Sequence, residues 1–580
     1  MYQNGELWIA VNEEGQKLCM TPKLLNRHGL VAGATGSGKT VTLKVMAETF
    51  SDMGIPVFLA DVKGDLSGCA VPGTDSEDMQ KRIQRFGLSD TGFSYHGYPV
   101  TFWDIFGEKG IPLRTTISEM GPILLSRLME LNEMQSDILN IVFKIADDQG
   151  LLLIDTKDLK AMLNYVAENN AEFTADYGRM SPVSIAAIVR ALVALEIAGG
   201  EQFFGEPALN VTDWFSLSPD GKGMINILDS SSLINNGKLY STFLLWLMSE
   251  LFETLPEVGD MDKPKMVFFF DEAHLLFKDA PKALLEKVEQ VVKLIRSKGV
   301  GIYFCTQNPR DIPNGVLAQL GNKIQHALHA YTPTDQKAVK AAAESFRVNP
   351  DFDTYETIMS LGTGEAVVSF LEEGGVPGMA QKAFILPPMS RMGEIDPSGR
   401  DSLVKGSVLY IKYFQSYDPD SAYEFLERKG LEDQRTAELR AQEEAEEKER
   451  LREEKEAAKQ AEREEREAQK EAERAQKAAE REAEKARAAE LREIERQEKA
   501  EVRAAEMKAR QAQREAEMKQ KAADRRKAQA AKSVGNSVAG TVGRELGKQA
   551  GSSFGKFGKT LGGNVGASLG RGLIGTLFKI

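Results

Sequence analysis

The eight residues GATGSGKT, Gly33 to Thr40, match the spacing G-x-x-x-x-G-K-[ST]. A short apolar run, GLVAG, leads into them, and a helical pattern, KTVTLKVMAETF, follows. A strand–turn–helix of this kind aims the backbone N–H groups of Gly33, Ala34, Thr35, Gly36, Ser37 and Gly38, and the helix N-terminus, at an anion. Lys39 would then reach the β- and γ-phosphates of ATP, and the Thr40 hydroxyl would ligate Mg²⁺. A second stretch, MVFFFDEAHLLF, has five apolar residues that read as a buried strand delivering Asp271 and Glu272 at its end. Downstream of a phosphate loop, the first carboxylate holds Mg²⁺ and the second polarises the attacking water. A carboxylate in that second place points to a hydrolase. His274 reads as a structural or coupling residue.

A third stretch, IRSKGVGIYFCTQNPRDIP, is a strand ending in Thr306 and Gln307. With conventional winding that strand lies beside the Asp271 strand, where Gln307 would sense the γ-phosphate or orient water. Arg296 and Arg310 flank the strand; an arginine supplied across a subunit interface would stabilise transition-state charge. In the fourth stretch, PVFLADVKGDLSG, Asp61 is expected at a strand tip bordering the phosphate loop, near Mg²⁺ or in a coupling role.

The elements that must position these residues follow from the pattern of apolar runs. HGLVAG, PVFLAD, PVTFWDI, GMINILD, KMVFFFDEA, GIYFCTQ, IQHALHAY and EAVVSFL read as buried strands separated by helices, the rhythm of an α/β parallel sheet. The rhythm divides the chain into a first half of the core (1–110), a mainly helical insertion (111–218), a second half of the core (219–390) and a connecting segment (391–430). From Leu431 to Val534 there is neither Gly nor Pro. Glu, Lys, Arg, Ala and Gln dominate, and leucines are too sparse for heptads. Residues 431–532 therefore read as a long charged single helix or a partner-dependent coiled coil, supported by i,i+4 pairs such as Glu444–Lys448. Residues 533–580 form a Gly-rich tail with an apolar residue or Ala before most glycines, the small-residue spacing that suits close helix packing.

Charge is unevenly distributed. The net charge of −13 resolves into −17 over the first 430 residues, −2 over 431–530 and +6 over 531–580. An acidic body argues against a broad nucleic-acid-binding face but leaves room for a local basic lining. The three cysteines show no metal or disulfide spacing. The N-terminus lacks the features of a signal peptide, and no apolar run is expected to span a bilayer. The compartment expected from this is the cytoplasm.

Taken in order, NRHGLVAGATGSGKTVTL, PVFLADVKGDLSG, WDIFGEKG, FFGEP, FFFDEAHLLF, LIRSKGVGIYFCTQNPRDIP and LGTGEAVVSFL resemble the bacterial HerA-like family, within the HerA/FtsK branch of P-loop ATPases. The resemblance covers about residues 1–430. It implies a RecA-like core with a helical insertion, assembled as a ring of its own copies, usually a hexamer, and it implies translocation or unwinding of double-stranded DNA. It assigns Lys39 and Thr40 to phosphate and Mg²⁺, Asp271 and Glu272 to metal and water, Gln307 to the sensor, and Arg296 to an arginine acting in trans. The chain departs from the archaeal members in having only about 27 residues before the phosphate-loop strand, too few for their N-terminal barrel. An alternative expectation is an assembly ATPase that engages a protein partner or membrane surface through its C-terminal stalk and tail.

Overall fold

The computed structural model describes residues 1–483 apart from 234–236, 260, 279 and 281. The part of the charged segment beyond 483 and the Gly-rich tail lie outside the described residues. The chain divides into two units, the first covering residues 1–426 and the second beginning at Glu427.

The first unit is built on one mixed sheet of thirteen strands. In chain order these are β1 (Tyr2–Gln3), β2 (Glu6–Asn12), β3 (Lys17–Met20), β4 (Gly29–Ala32), β5 (Val57–Asp61), β6 (Val100–Asp104), β7 (Ile111–Pro112), β8 (Ile225–Asp229), β9 (Met266–Phe270), β10 (Val300–Thr306), β11 (Asn322–His326), β12 (Glu365–Ser369) and β13 (Gln381–Ile385). Their spatial order is β1-β2-β13-β12-β11-β4-β10-β9-β5-β8-β6-β7, with β3 on β2. The run from β11 through β7 is parallel; β12, β13 and the N-terminal strands extend it antiparallel.

The eight apolar runs read as strands all lie in this sheet. Every residue of β4, β5, β8, β9 and β10 is buried, as expected of parallel strands covered on both faces. The α/β, RecA-like class expected from the sequence is the class observed. The N-terminal strands were not foreseen, although ELWIAVN has β-forming composition; β2 joins the sheet through β13, with Phe384 opposite Val11.

Aromatic side chains knit the middle of the sheet. Phe58 on β5 stacks on Trp214 at 4.7 Å and lies 5.3 Å from Phe268 on β9, centroid to centroid. Between β7 and β8 the chain is mainly helical, with helices at Ile117–Leu128, Glu133–Gln149, Thr156–Glu168, Asn170–Tyr177 and Pro182–Leu195. Thr116, Asn132 and Asp155 each close a capping box, which fixes where three of them start.

The helical stretch Pro182–Phe203 has 22 residues and is, by length and composition, long and apolar enough to cross a membrane. Arg190 and Glu196 interrupt its apolar run, which is why reading run by run passed over it. Ile185, Ile188, Leu192 and Leu195 face the core, whereas Val183 and Ile197 are exposed.

In the second unit the described residues continue the helix Ala422–Ala483. Leu431, Leu439 and Leu451 on it are exposed, and Lys448 lies 3.6 Å from Glu444.

Replacing Phe58 by Ala should lower unfolding free energy by about 3–5 kcal/mol, the range for emptying a packed aromatic site. Val183→Ala, on an exposed face, should stay within about 0.5 kcal/mol. Chemical denaturation of the two variants side by side checks both.

Candidate functional site

The parallel strands end together at one edge, where the Gly33–Gly38 loop, Lys39, Asp271, Glu272 and Gln307 come together. β4 runs straight into the loop Gly33–Gly38, and the helix Lys39–Asp52 begins directly after it. The loop is tied to three neighbouring strands. Gly33 N–H donates to Thr306 O on β10 at 3.2 Å, Ala34 N–H to Ala327 O beyond β11 at 2.8 Å, and Gly364 N–H, before β12, to Ser37 O at 3.0 Å. Gly36 and Gly38 adopt φ of 77° and 114°, open to glycine at little cost. Gly33 is glycine for space as well: a Cβ there would stand 2.5 Å from His326 Cβ.

His326 is a residue the sequence reading passed over, counting IQHALHAY only as a strand. Its Nε2 lies 2.8 Å from Thr42 Oγ1 and its Nδ1 2.8 Å from Glu365 O, so it pins the phosphate-loop helix to the sheet. Burial lowers its pKa to about 4, leaving it neutral. A polar ring inside an apolar strand was the signal available.

Lys39 Nζ donates to the loop's own carbonyls, Gly33 O at 2.6 Å and Ala34 O at 3.0 Å. Burial lowers its pKa, and the nearby Cys305, Asp271 and Glu272 pull the other way. Thr40 is half-buried in the first turn of the helix.

Asp271 and Glu272 follow β9, separated from β4 only by β10. Asp271 is buried, and its Oδ1 accepts from Glu272 N–H at 2.9 Å. Burial, then the charge of Glu272, raises its pKa. Tyr240 OH donates to Asp271 O at 2.7 Å, a further support not visible in the sequence. Glu272 has φ of 48°, a left-handed conformation uncommon outside glycine. Its carboxylate accepts from Gln307 Nε2 at 3.2 and 3.3 Å, and His274 Nδ1 stands 3.3 Å from Oε2. His274, then Gln307, holds the Glu272 pKa below the usual carboxylate range despite its burial, and Glu272 raises that of His274 in return. Gln307 reaches the other way too: its Oε1 is 3.5 Å from Thr35 Oγ1. One side chain thus spans the Glu272 carboxylate and the Gly33–Gly38 loop.

One expectation changes, and the arginine expected to act in trans lies away from the site of its own chain. Asp61 does not border the phosphate loop, because β9 and β10 lie between β5 and β4. It borders Asp271 instead, with Ala60 opposite Phe270 in register. Its carboxylate accepts backbone N–H bonds from Lys63 at 3.2 Å, Gly64 at 2.7 Å and Leu66 at 3.0 Å. Arg296 is not brought to this site within the chain. It is exposed in the turn before β10, at the opposite sheet edge and about 20 Å along that strand from Gln307. Arg310 is exposed in the turn after β10.

The site fits Mg²⁺ and a nucleotide by its donors. A buried carboxylate and a hydroxyl at a helix start suit a hard cation, and a glycine-lined loop with a lysine suits phosphate. Gly33→Ala should reduce nucleotide affinity at least tenfold, because its clash is with the fold itself. Gly36→Ala, with open space around the added methyl, should lose less than Gly33→Ala. Fluorescent-nucleotide titration distinguishes them.

Residues 6–492 match the family model described as Helicase HerA-like C-terminal. The chain is 22% identical over 354 residues to the DNA double-strand break repair helicase HerA of Sulfurisphaera tokodaii, covering 59% of this chain and 62% of that protein. It is 20% identical over 354 residues to the protein of the same description from Sulfolobus acidocaldarius, again covering 59% and 62%. The chain thus spans about three-fifths of the length of these relatives. The VirB4 structure from Thermoanaerobacter pseudethanolicus aligns with a TM-score of 0.42 at 15% identity, over 71% of this chain and all of that one. With the matched model covering most of its length, this chain belongs to the Helicase HerA-like C-terminal family.

Proposed function

We propose that this chain hydrolyses ATP with Mg²⁺ and works as a motor on double-stranded DNA, as a ring of six of its own copies by family resemblance. The observation that carries the hydrolase part is the Gln307 bridge between Glu272 and the phosphate loop. In this reading the loop N–H groups and Lys39 grip the phosphates, Lys39 leaving its two loop carbonyls to do so. Thr40 and Asp271 would hold Mg²⁺, which would supply positive charge against that of the phosphates. Glu272 accepts a proton from the attacking water. Its lowered pKa keeps it ionised and ready at neutral pH. Gln307 orients that carboxylate and, through Thr35, registers whether the loop is filled.

Arg296 completes the site only from a neighbouring copy, since it stands at the far edge of its own sheet. The names of the matched relatives support DNA as the substrate. A second reading, an ATPase acting on a protein or membrane-surface partner, is favoured by the −17 net charge of the first 430 residues.

The deciding measurement is ATPase rate with and without duplex DNA, at low and moderate salt. Severalfold stimulation that weakens with salt is expected for a motor on DNA; no stimulation and no DNA retention at low salt would refute it. Glu272→Gln should bind ATP normally and hydrolyse it at least a hundredfold more slowly. Separately, mixing Arg296→Ala chains with Lys39→Ala chains should restore part of the activity that each lacks alone. Absence of any restoration would remove Arg296 from the site.

A further inference from the structure

The motif PVFLADVKGDLSG contains a lysine to which neither the phosphate grip nor the water activation has given a role. Lys63 is two residues beyond β5, and β5 is the strand that flanks the carboxylate strand β9 on the side away from the phosphate loop. The two strands are in register up to Ala60 and Phe270, so the turn that carries Lys63 leaves the sheet beside Asp271 and Glu272.

That turn is held on both sides. In front, the Asp61 carboxylate takes the backbone N–H groups of Lys63, Gly64 and Leu66. Behind, it is pressed against the segment before the helix Pro397–Gly406. A Cβ on Gly64 would stand 2.6 Å from Glu394 Oε1, a Cβ on Gly68 would stand 2.3 Å from Gly393 O, and Ser67 Oγ accepts from Ile395 N–H at 3.1 Å. The backbone at Lys63 is therefore fixed in place.

Its side chain is not. Lys63 is exposed, and among the described residues its ammonium has no hydrogen bond or ion pair. Three groups at the site nevertheless feel its charge. Behind burial and the larger effect of Glu272, Lys63 draws the pKa of Asp271 down. It adds to His274 and Gln307 in lowering that of Glu272, and to burial in lowering that of Lys39. An uncommitted cation on a rigid turn, leaving the sheet beside the strand end that carries both carboxylates, is within a lysine's reach of the space between them and Lys39, where the γ-phosphate would lie.

We propose that Lys63 is a second phosphate-binding lysine, supplied in cis, that contacts the γ-phosphate of bound ATP and stabilises the charge it develops on transfer to water. The proposal rests on the hydrolase reading above. It gives the site two lysines that approach the terminal phosphate from opposite sides, Lys39 from the loop and Lys63 from beyond the carboxylate strand. The turn's rigidity means that little reorganisation accompanies the contact.

Two variants of the full chain test it, Lys63→Met and Lys63→Arg, with Mg²⁺ present. Affinities for ADP and for a slowly hydrolysed ATP analogue are measured by fluorescent-nucleotide displacement, and kcat and KM by steady-state turnover. Lys63→Met should keep ADP affinity within about twofold, reduce the preference for the triphosphate analogue over ADP about tenfold, and lower kcat roughly ten- to a hundredfold, the scale of one charge-assisted hydrogen bond. Lys63→Arg should restore most of the preference. An unchanged preference for the triphosphate, or an equal loss for both nucleotides, would overturn the assignment. Should the unmodified chain fail to turn over ATP, the hydrolase reading falls on that result alone, and the affinity ratio still decides whether Lys63 contacts the γ-phosphate.

Discussion

Placing charge at the end of an apolar sheet is the constraint around which this site is built. β9 and β10 are buried along their whole length, and they end in Asp271, Glu272 and Gln307. A carboxylate at such a place is destabilised by lost hydration unless something answers its charge. Each group here is answered differently. Asp271 takes one backbone N–H, and burial still raises its pKa, a state that a divalent cation would reverse. Glu272 is held by Gln307 and His274 and stays acidic. Lys39 is satisfied by carbonyls of its own loop. Two of the three therefore rest in arrangements that bound phosphate and metal would replace.

The same constraint explains why so many supporting contacts are backbone. The loop Gly33–Gly38 hangs from the ends of β10, β11 and β12 by N–H to carbonyl bonds, and its glycines leave no side chains in the way. His326 fills the one place behind the loop where a glycine has no room to be anything else. Because it is neutral it adds no positive charge behind a site that already gathers Lys39. A rigid rear wall of this kind lets the front of the loop be shaped by what binds to it.

Much of this was legible in the sequence because parallel strands buried on both faces leave continuous apolar runs, and because the phosphate loop and the DE strand tip have fixed spacing. All eight runs are strands, and β9 and β10 are neighbours as conventional winding requires. What stayed hidden depends on contacts between distant segments. Strand order placed Asp61 beside Asp271 where the sequence suggested the phosphate loop, since nothing local to PVFLAD records which strand lies next to it. The roles of His326 and Tyr240 come from partners 284 and 31 residues away. Of the N-terminal strands, β2 pairs with β13, more than 350 residues later, and had no local signal strong enough to place it.

The segment that follows β13 shows how the rear of the site is tied to the rest of the first unit. Glu48, on the buried face of the phosphate-loop helix, accepts from Met389 N–H at 2.8 Å and Ser390 N–H at 3.1 Å, and from the Ser390 hydroxyl. One turn earlier on the same face, Lys44 Nζ donates to Asp65 O at 3.3 Å and also to Arg391 O. A buried carboxylate and a buried ammonium on one helix face would be costly if either lacked these partners. Their satisfaction binds the helix, the Asp61–Ala70 turn and residues 389–395 into one body. The helix begins at the Gly33–Gly38 loop and the turn begins beside Asp271 and Glu272. A displacement of either must therefore be carried into residues 389–395, or break hydrogen bonds of the buried Lys44 and Glu48.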